Sequence, residues 1–199
     1  MQPSPAPNTA LNRAGQALAA MRQSCTLDEF EEQWKVFLHR IERSWNKTRA
    51  HYGRSPKFGN WSARTETLRR TDPLLSYLCS ARGAEEHTVA EITEKKPGSV
   101  GINLADGVGV QPDGSIHIEH IEFTSGPDGL TVKSAQPLKI FFTPAKVCML
   151  PISNRGRTYA VPTSHCGTAI NPDDLLAAAE KALYFYTMAV SEAEAYFIK

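Results

Sequence analysis

The sequence predicts an α+β protein: a helical bundle interrupted by an antiparallel β-meander insert and closed by a long C-terminal helix. Three observations predict it. Apolar residues recur at three- and four-residue steps from Phe30 to Trp45. Short β-type runs alternate with turn signals between residues 97 and 164. A long apolar seam then returns from Leu175 to Phe197, and no single helix buries such a seam alone. The expected organisation is a disordered tail over 1–10, a helical part over 11–96, the β insert over 97–164, and over 165–199 a helix returning to the bundle.

The elements follow in order. Leu11, Ala14, Leu18 and Met21 share one face of a first short helix, expected over Leu11 to Arg22. Thr26 and Glu29 form a T-x-x-E capping box, which starts a stronger helix carrying Phe30, Trp34, Phe37, Leu38, Ile41 and Trp45. Gly53 marks its end. A basic connection follows, with a short helix around Ala63 to Arg69. Asp72-Pro73 opens another helix, Asp as N-cap and Pro in the first turn, with Leu74, Leu75, Leu78, Val89 and Ile92 as its apolar face. It is expected to stop before Pro97-Gly98.

Strands are expected over Val100–Leu104, Ser115–Phe123, Leu130–Lys133, Leu138–Thr143, Val147–Pro151 and Thr158–Val161. The turns Pro112-Asp113-Gly114, Pro127-Asp128-Gly129 and Asn154-Arg155-Gly156 separate several of them. Short loops between successive strands favour antiparallel pairing of neighbours. The last helix is expected to start with Asn171 as N-cap and Pro172 in its first position.

Composition narrows the function classes. The chain has 199 residues, 41% hydrophobic and 22% charged, a balance that permits a real core. No run of eighteen apolar residues suggests a membrane span, and the Pro- and Ser-rich start lacks the apolar stretch of a signal peptide. Cys25, Cys79, Cys148 and Cys166 show no CxxC spacing, so the expectation is free thiols in the cytoplasm and no metal or cofactor.

The net charge of +1 is unevenly spread. Cations crowd the stretch from Arg40 to Arg70, opposed only by Glu42 and Glu66. Arg54, Lys57, Arg64, Arg69 and Arg70, with Trp61 among them, combine cations with a stacking ring, as single-stranded nucleic acid requires. The alternative is a solvated helix face over core aromatics.

Late in the fourth expected helix stands Arg82-Gly83-Ala84-Glu85-Glu86-His87, an R-x4-H arrangement. It resembles the signature of the HEPN superfamily, helical bundles that are often dimeric ribonucleases. The resemblance implies that Arg82 and His87 line a cleft between two protomers and cleave RNA without a metal. Glu85 or Glu86 would orient them. The family usually has a polar residue after the arginine, where this chain has Gly83.

On an ideal helix His87 lies roughly 140° round from Arg82, so one chain does not set the two side by side. Either the helix loosens near Gly83, or a homodimer through the helical part completes the site. The same spacing equally fits an ion pair between Arg82 and Glu85 or Glu86, leaving His87 at the surface. The expected function is therefore a metal-independent endoribonuclease acting on single-stranded RNA, of toxin or defence type. The alternative is a non-catalytic binding or scaffold protein that uses the bundle for self-assembly or partner binding. A protein partner would then meet the β insert.

Other constellations carry less. His117-Ile118-Glu119-His120-Ile121-Glu122 splits its ligand types between two strand faces and reads as an ordinary strand. His165-Cys166 is a poor nucleophile pair, because sequence neighbours rarely orient base onto thiol. Gly107-Val108-Gly109 lacks the rest of a phosphate-loop fingerprint.

Overall fold

A computed structural model describes residues 2, 4–87, 90–104, 112, 121–126 and 129–198, with residues 87, 104, 125, 126, 129 and 130 described by their backbone alone. The chain is α+β. It divides into two compact units, residues 1–96 with 147–199, and residues 97–146.

Among its described residues the first unit contains five helices: α1 (Pro5–Gln23), α2 (Leu27–Tyr52), α3 (Phe58–Thr71), α4 (Pro73–His87) and α5 (Leu175–Phe197). Helix α1 starts well before Leu11, so residues 5–10 are helical where a disordered tail was expected. Ser4 caps it by accepting from the Ala6 N–H, and Pro5 takes the first turn, where a missing N–H costs nothing. The capping box of α2 forms as expected. The Glu29 N–H donates to Thr26 Oγ1 at 3.1 Å, and Glu29 Oε2 accepts from the Thr26 N–H at 3.2 Å. Helix α3 begins at Phe58 and so is longer than its weak periodicity suggested.

Helix α4 is described as far as His87 and residues 90–96 are not helical, although continuation toward Pro97 was expected. Residues Thr93–Lys96 form a strand instead, β1, paired with β6 (Lys146–Met149). Backbone pairing explains the switch: the Leu150 N–H donates to Ile92 O at 3.0 Å, and Tyr77 Oη donates to Leu150 O at 2.7 Å. At the other end, Asn171 and Pro172 belong to a turn, not to the helix. Asn171 Oδ1 accepts from the Asp173 N–H, and Asp174 caps α5 by accepting from the Ala177 N–H.

Helix α5 packs along α1 and α2, and α4 lies against α2 and α3. The core gathers Trp34, Phe37, Leu38, Ile41 and Trp45 from α2, Leu74, Leu75 and Leu78 from α4, and Ala178, Ala182, Tyr186 and Val190 from α5. Two small hairpins, β7 (Ile152–Asn154) with β8 (Arg157–Tyr159) and β9 (Ser164–His165) with β10 (Thr168–Ala169), fold onto α4. Residues 147–164, expected to belong to the insert, are thus part of the helical unit.

The second unit is antiparallel but nested, and not the meander expected. Strand β2 (Ser99–Leu104) pairs with β5 (Leu138–Thr143), skipping the hairpin of β3 (Ile121–Gly126) and β4 (Gly129–Ser134) between them. The Phe141 ring lies over its register partner Gly101, where any Cβ would collide with it. The expected strand residues 115–120, the His117–His120 stretch and Gly107–Gly109 lie outside the described residues. No helix among the described residues is long and apolar enough to cross a membrane.

Candidate functional site

The α2 sequence carries a second stripe beside its apolar one. Lys35, His39, Arg43, Asn46, Lys47 and Ala50 recur at three- and four-residue steps and share a polar face. This face forms one wall of an open groove of about 700 Å³, and Arg82, Glu85 and Glu86 of α4 form the other. Arg40 and Glu32 complete its rim. Arg40, Arg43 and Lys47 also line a second depression against α1, so they stand as a basic ridge between two hollows.

The floor of the groove is a charged cluster. Arg82 donates to Glu86 Oε1 at 2.5 Å, the i,i+4 pair that the spacing allows. His39 lies across from it, with Nε2 at 2.9 Å from Glu85 Oε2 and Nδ1 at 3.3 Å from Glu86 Oε1. One carboxylate, Glu86, therefore joins the arginine of α4 to the histidine of α2. The Arg82 Nε–H is buried and meets no acceptor among the described residues. Five cations, Lys35, Arg40, Arg43, Lys47 and Arg82, line the groove with three glutamates, and a fourth, Glu91, pairs with Lys35 at 3.9 Å, so the positive surplus is small.

Gly83 has a packing reason. A Cβ there would lie 2.5 Å from Asn154 Nδ2, which donates to Ser80 O and ties the β7–β8 turn to α4. A side chain after Arg82 would displace the Asn154 amide.

The other sequence candidates fall in different places. The His87 side chain lies outside the described residues. Arg54, Lys57, Arg64 and Arg70 are exposed on α3 and the loop before it, and none lines the groove. Trp61 is half-buried, stacked on Trp45 and in edge contact with Phe197, so it is a packing residue and not a free ring.

Arg69 is a correction. Its side chain is 8% exposed and cannot meet a nucleic acid. It pairs with Glu42 at 2.5 Å, donates from Nε to Tyr186 Oη at 3.1 Å and reaches Cys79 Sγ at 3.3 Å. Burial works against its charge, but Tyr186, Cys79 and Glu42 outweigh burial and hold the guanidinium above its ordinary value. Burial also pushes the Tyr186 hydroxyl far up and keeps it neutral.

His39 was missed by sequence reasoning, which looked for a histidine near Arg82 in the chain. The signal was present in the 35-39-43 polar stripe, but only the crossing of α2 and α4 brings it beside Glu85 and Glu86.

Among the described residues, one group of three has metal-ligating donors close together: Asp72, His165 and Cys166, their donor atoms all within 4.8 Å. Burial pushes the Asp72 carboxyl up, yet hydrogen bonds from the Cys166 N–H, His165 and the Leu75 N–H outweigh it and hold the group below its ordinary value. The sequence matches no known family model, and comparison with curated proteins and with solved structures gives no significant match.

Proposed function

We propose that the groove between α2 and α4 binds the phosphate backbone of single-stranded RNA and cleaves it without a metal, with Arg82 and His39 carrying the chemistry. One observation carries this reading. An arginine and a histidine from different helices converge on Glu86 in the floor of a groove rimmed by Lys35, Arg40, Arg43 and Lys47. The HEPN-like expectation of a metal-free Arg/His site is kept, with the histidine supplied by α2. No second copy is needed to bring the two together.

The chemistry follows from residue type. Imidazole takes and returns a proton near neutral pH. It removes the proton of the 2′-hydroxyl, and the 2′-oxygen attacks phosphorus and displaces the 5′-oxygen, which takes a proton from water as the P–O bond breaks. A guanidinium, charged at every working pH, holds the phosphate oxygens as their charge grows. In this step Arg82 exchanges Glu86 for phosphate, Glu85 holds the His39 ring through its Nε2–H, and Nδ1 turns from Glu86 to accept the 2′-hydroxyl proton. The products are a 2′,3′-cyclic phosphate and a 5′-hydroxyl.

A second reading also has an observation behind it. Both ring nitrogens of His39 lie within ion-pair reach of glutamates on α4, as a clamp holding α4 on α2 requires. Incubating purified protein with mixed single-stranded RNAs in EDTA separates the two. The proposal expects cutting to a cyclic phosphate that Arg82→Ala and His39→Ala each abolish. An inert wild type, or variants that cut as well as it does, leaves the clamp.

A further inference from the structure

Outside the groove, the β9–β10 hairpin folds its turn onto the N-terminus of α4, and we propose that Asp72, His165 and Cys166 there bind one zinc-class divalent ion. The three side chains offer one oxygen, one nitrogen and one sulfur, with the donor atoms all within 4.8 Å of one another.

The donor set selects the metal. Calcium and magnesium ask for oxygen shells, whereas mixed nitrogen and sulfur donors suit zinc and its borderline neighbours. Bonds of about 2.0 Å to nitrogen and oxygen and about 2.3 Å to sulfur set tetrahedral donor separations of about 3.3–3.6 Å. Asp72 Oδ1 and His165 Nδ1 already stand 3.0 Å apart. An ion bound between them replaces the proton they now share, and the sulfur closes in by a small side-chain rotation. Three protein ligands leave a fourth position for water or an incoming ligand, as in zinc sites that bind substrates. Cys166 is exposed, so that position opens on solvent.

The backbone supports the assignment independently. Cys166 sits at φ 48° and Gly167 at φ 79°, so both turn residues are left-handed. Such a two-residue turn favours Asn, Asp or Gly in its first position, and cysteine there is strained. The strain is held by a contact to the same cluster: the Cys166 N–H donates to Asp72 Oδ2 at 2.6 Å. Asp72 itself is 5% exposed and fixed by capping α4 through the Leu75 N–H. The carboxylate is thus positioned by the helix it caps, and the thiol by a turn that glycine would suit better.

The test uses the full chain, reduced and stripped with a chelator, then titrated with Co²⁺ and with Zn²⁺. The expected result is one Co²⁺ per chain with a thiolate-to-cobalt charge-transfer band, displaced by Zn²⁺, and a Zn²⁺-dependent rise in Tm. Cys166→Gly relieves the turn, so it folds at least as stably without metal, yet it loses the band and the Zn²⁺-dependent rise. His165→Gln weakens binding at least tenfold. Cys25→Ser, at the other exposed cysteine, changes nothing. No band in the wild type, or a band that survives Cys166→Gly or disappears with Cys25→Ser, overturns the site.

Discussion

Helix α2 joins two arginine–glutamate knots with its neighbours, one sealed and one open, and the difference between them is one of burial. Arg69 of α3 meets Glu42, Glu66, Tyr186 and Cys79, with the rings of Trp45 and Tyr186 at 5.5 and 5.8 Å from its guanidinium carbon. Arg82 of α4 has a side chain 33% exposed and keeps a buried Nε–H with no acceptor among the described residues. The first knot has no route to a ligand. The second faces a groove and has donor capacity left over. Residue type does not distinguish them, since each is an arginine paired with a glutamate and joined by a side chain of α2. Burial does.

The largest expected effect lies in the sealed knot. Arg69→Ala leaves half-buried Glu42 and buried Tyr186 without their cation, and should cost about 3–5 kcal/mol of stability. Urea unfolding would measure it, and a loss below about 1 kcal/mol would show the knot to be less closed than described. Arg69→Met, which restores volume without charge, should cost less.

Next is Tyr186→Phe, which leaves the buried Arg69 Nε–H without its acceptor and should cost about 1–3 kcal/mol. The same knot sets a pH dependence. The Tyr186 hydroxyl is raised above the ordinary value of 10.0, chiefly by burial, and burial raises Tyr77 as well. The folded state therefore holds these protons more tightly than the unfolded chain does. Their contribution is complete below pH 10 and is lost as the pH rises beyond it. Tm should fall on the alkaline side, and the fall should be shallower in Tyr186→Phe. Equal slopes would remove Tyr186 from the explanation.

A smaller effect belongs to the edge of the open knot. Gly83→Ala pushes the Asn154 amide away from Ser80 O, but alanine's higher helix propensity offsets that loss, so the net change should stay within about 1 kcal/mol. The double variant Gly83→Ala/Asn154→Ala should lose less than the sum of the single changes, because the collision is gone.

How much of this was legible in the sequence depended on how local each signal is. The capping box at Thr26 and Glu29 and the stripe from Trp34 to Trp45 specify α2 by contacts within a few residues, and α2 forms as they indicate. The end of α4 was not legible. Thr93–Lys96 is a strand because residues 146–149, far along the chain, pair with it. The nesting of β2 with β5 is hidden for the same reason. Arg82 and Glu86 were legible as an i,i+4 pair, but His39 stands 43 positions before Arg82, and only the packing of α4 on α2 brings it to Glu86. Arg69 misled because a basic run reads as a surface, while Glu42, Tyr186 and Cys79, from three other elements, enclose it.

The contrast between the two knots is tested most directly by measuring RNA cleavage and unfolding free energy on the same preparations of wild type, Arg82→Ala and His39→Ala. The account predicts stability losses below about 1 kcal/mol, as for exposed ion pairs. It predicts cleavage, unaffected by EDTA, falling by about a hundredfold or more in both variants. A loss of several kcal/mol in either variant, or cleavage unchanged in both, would contradict it and make the open knot a second structural clamp.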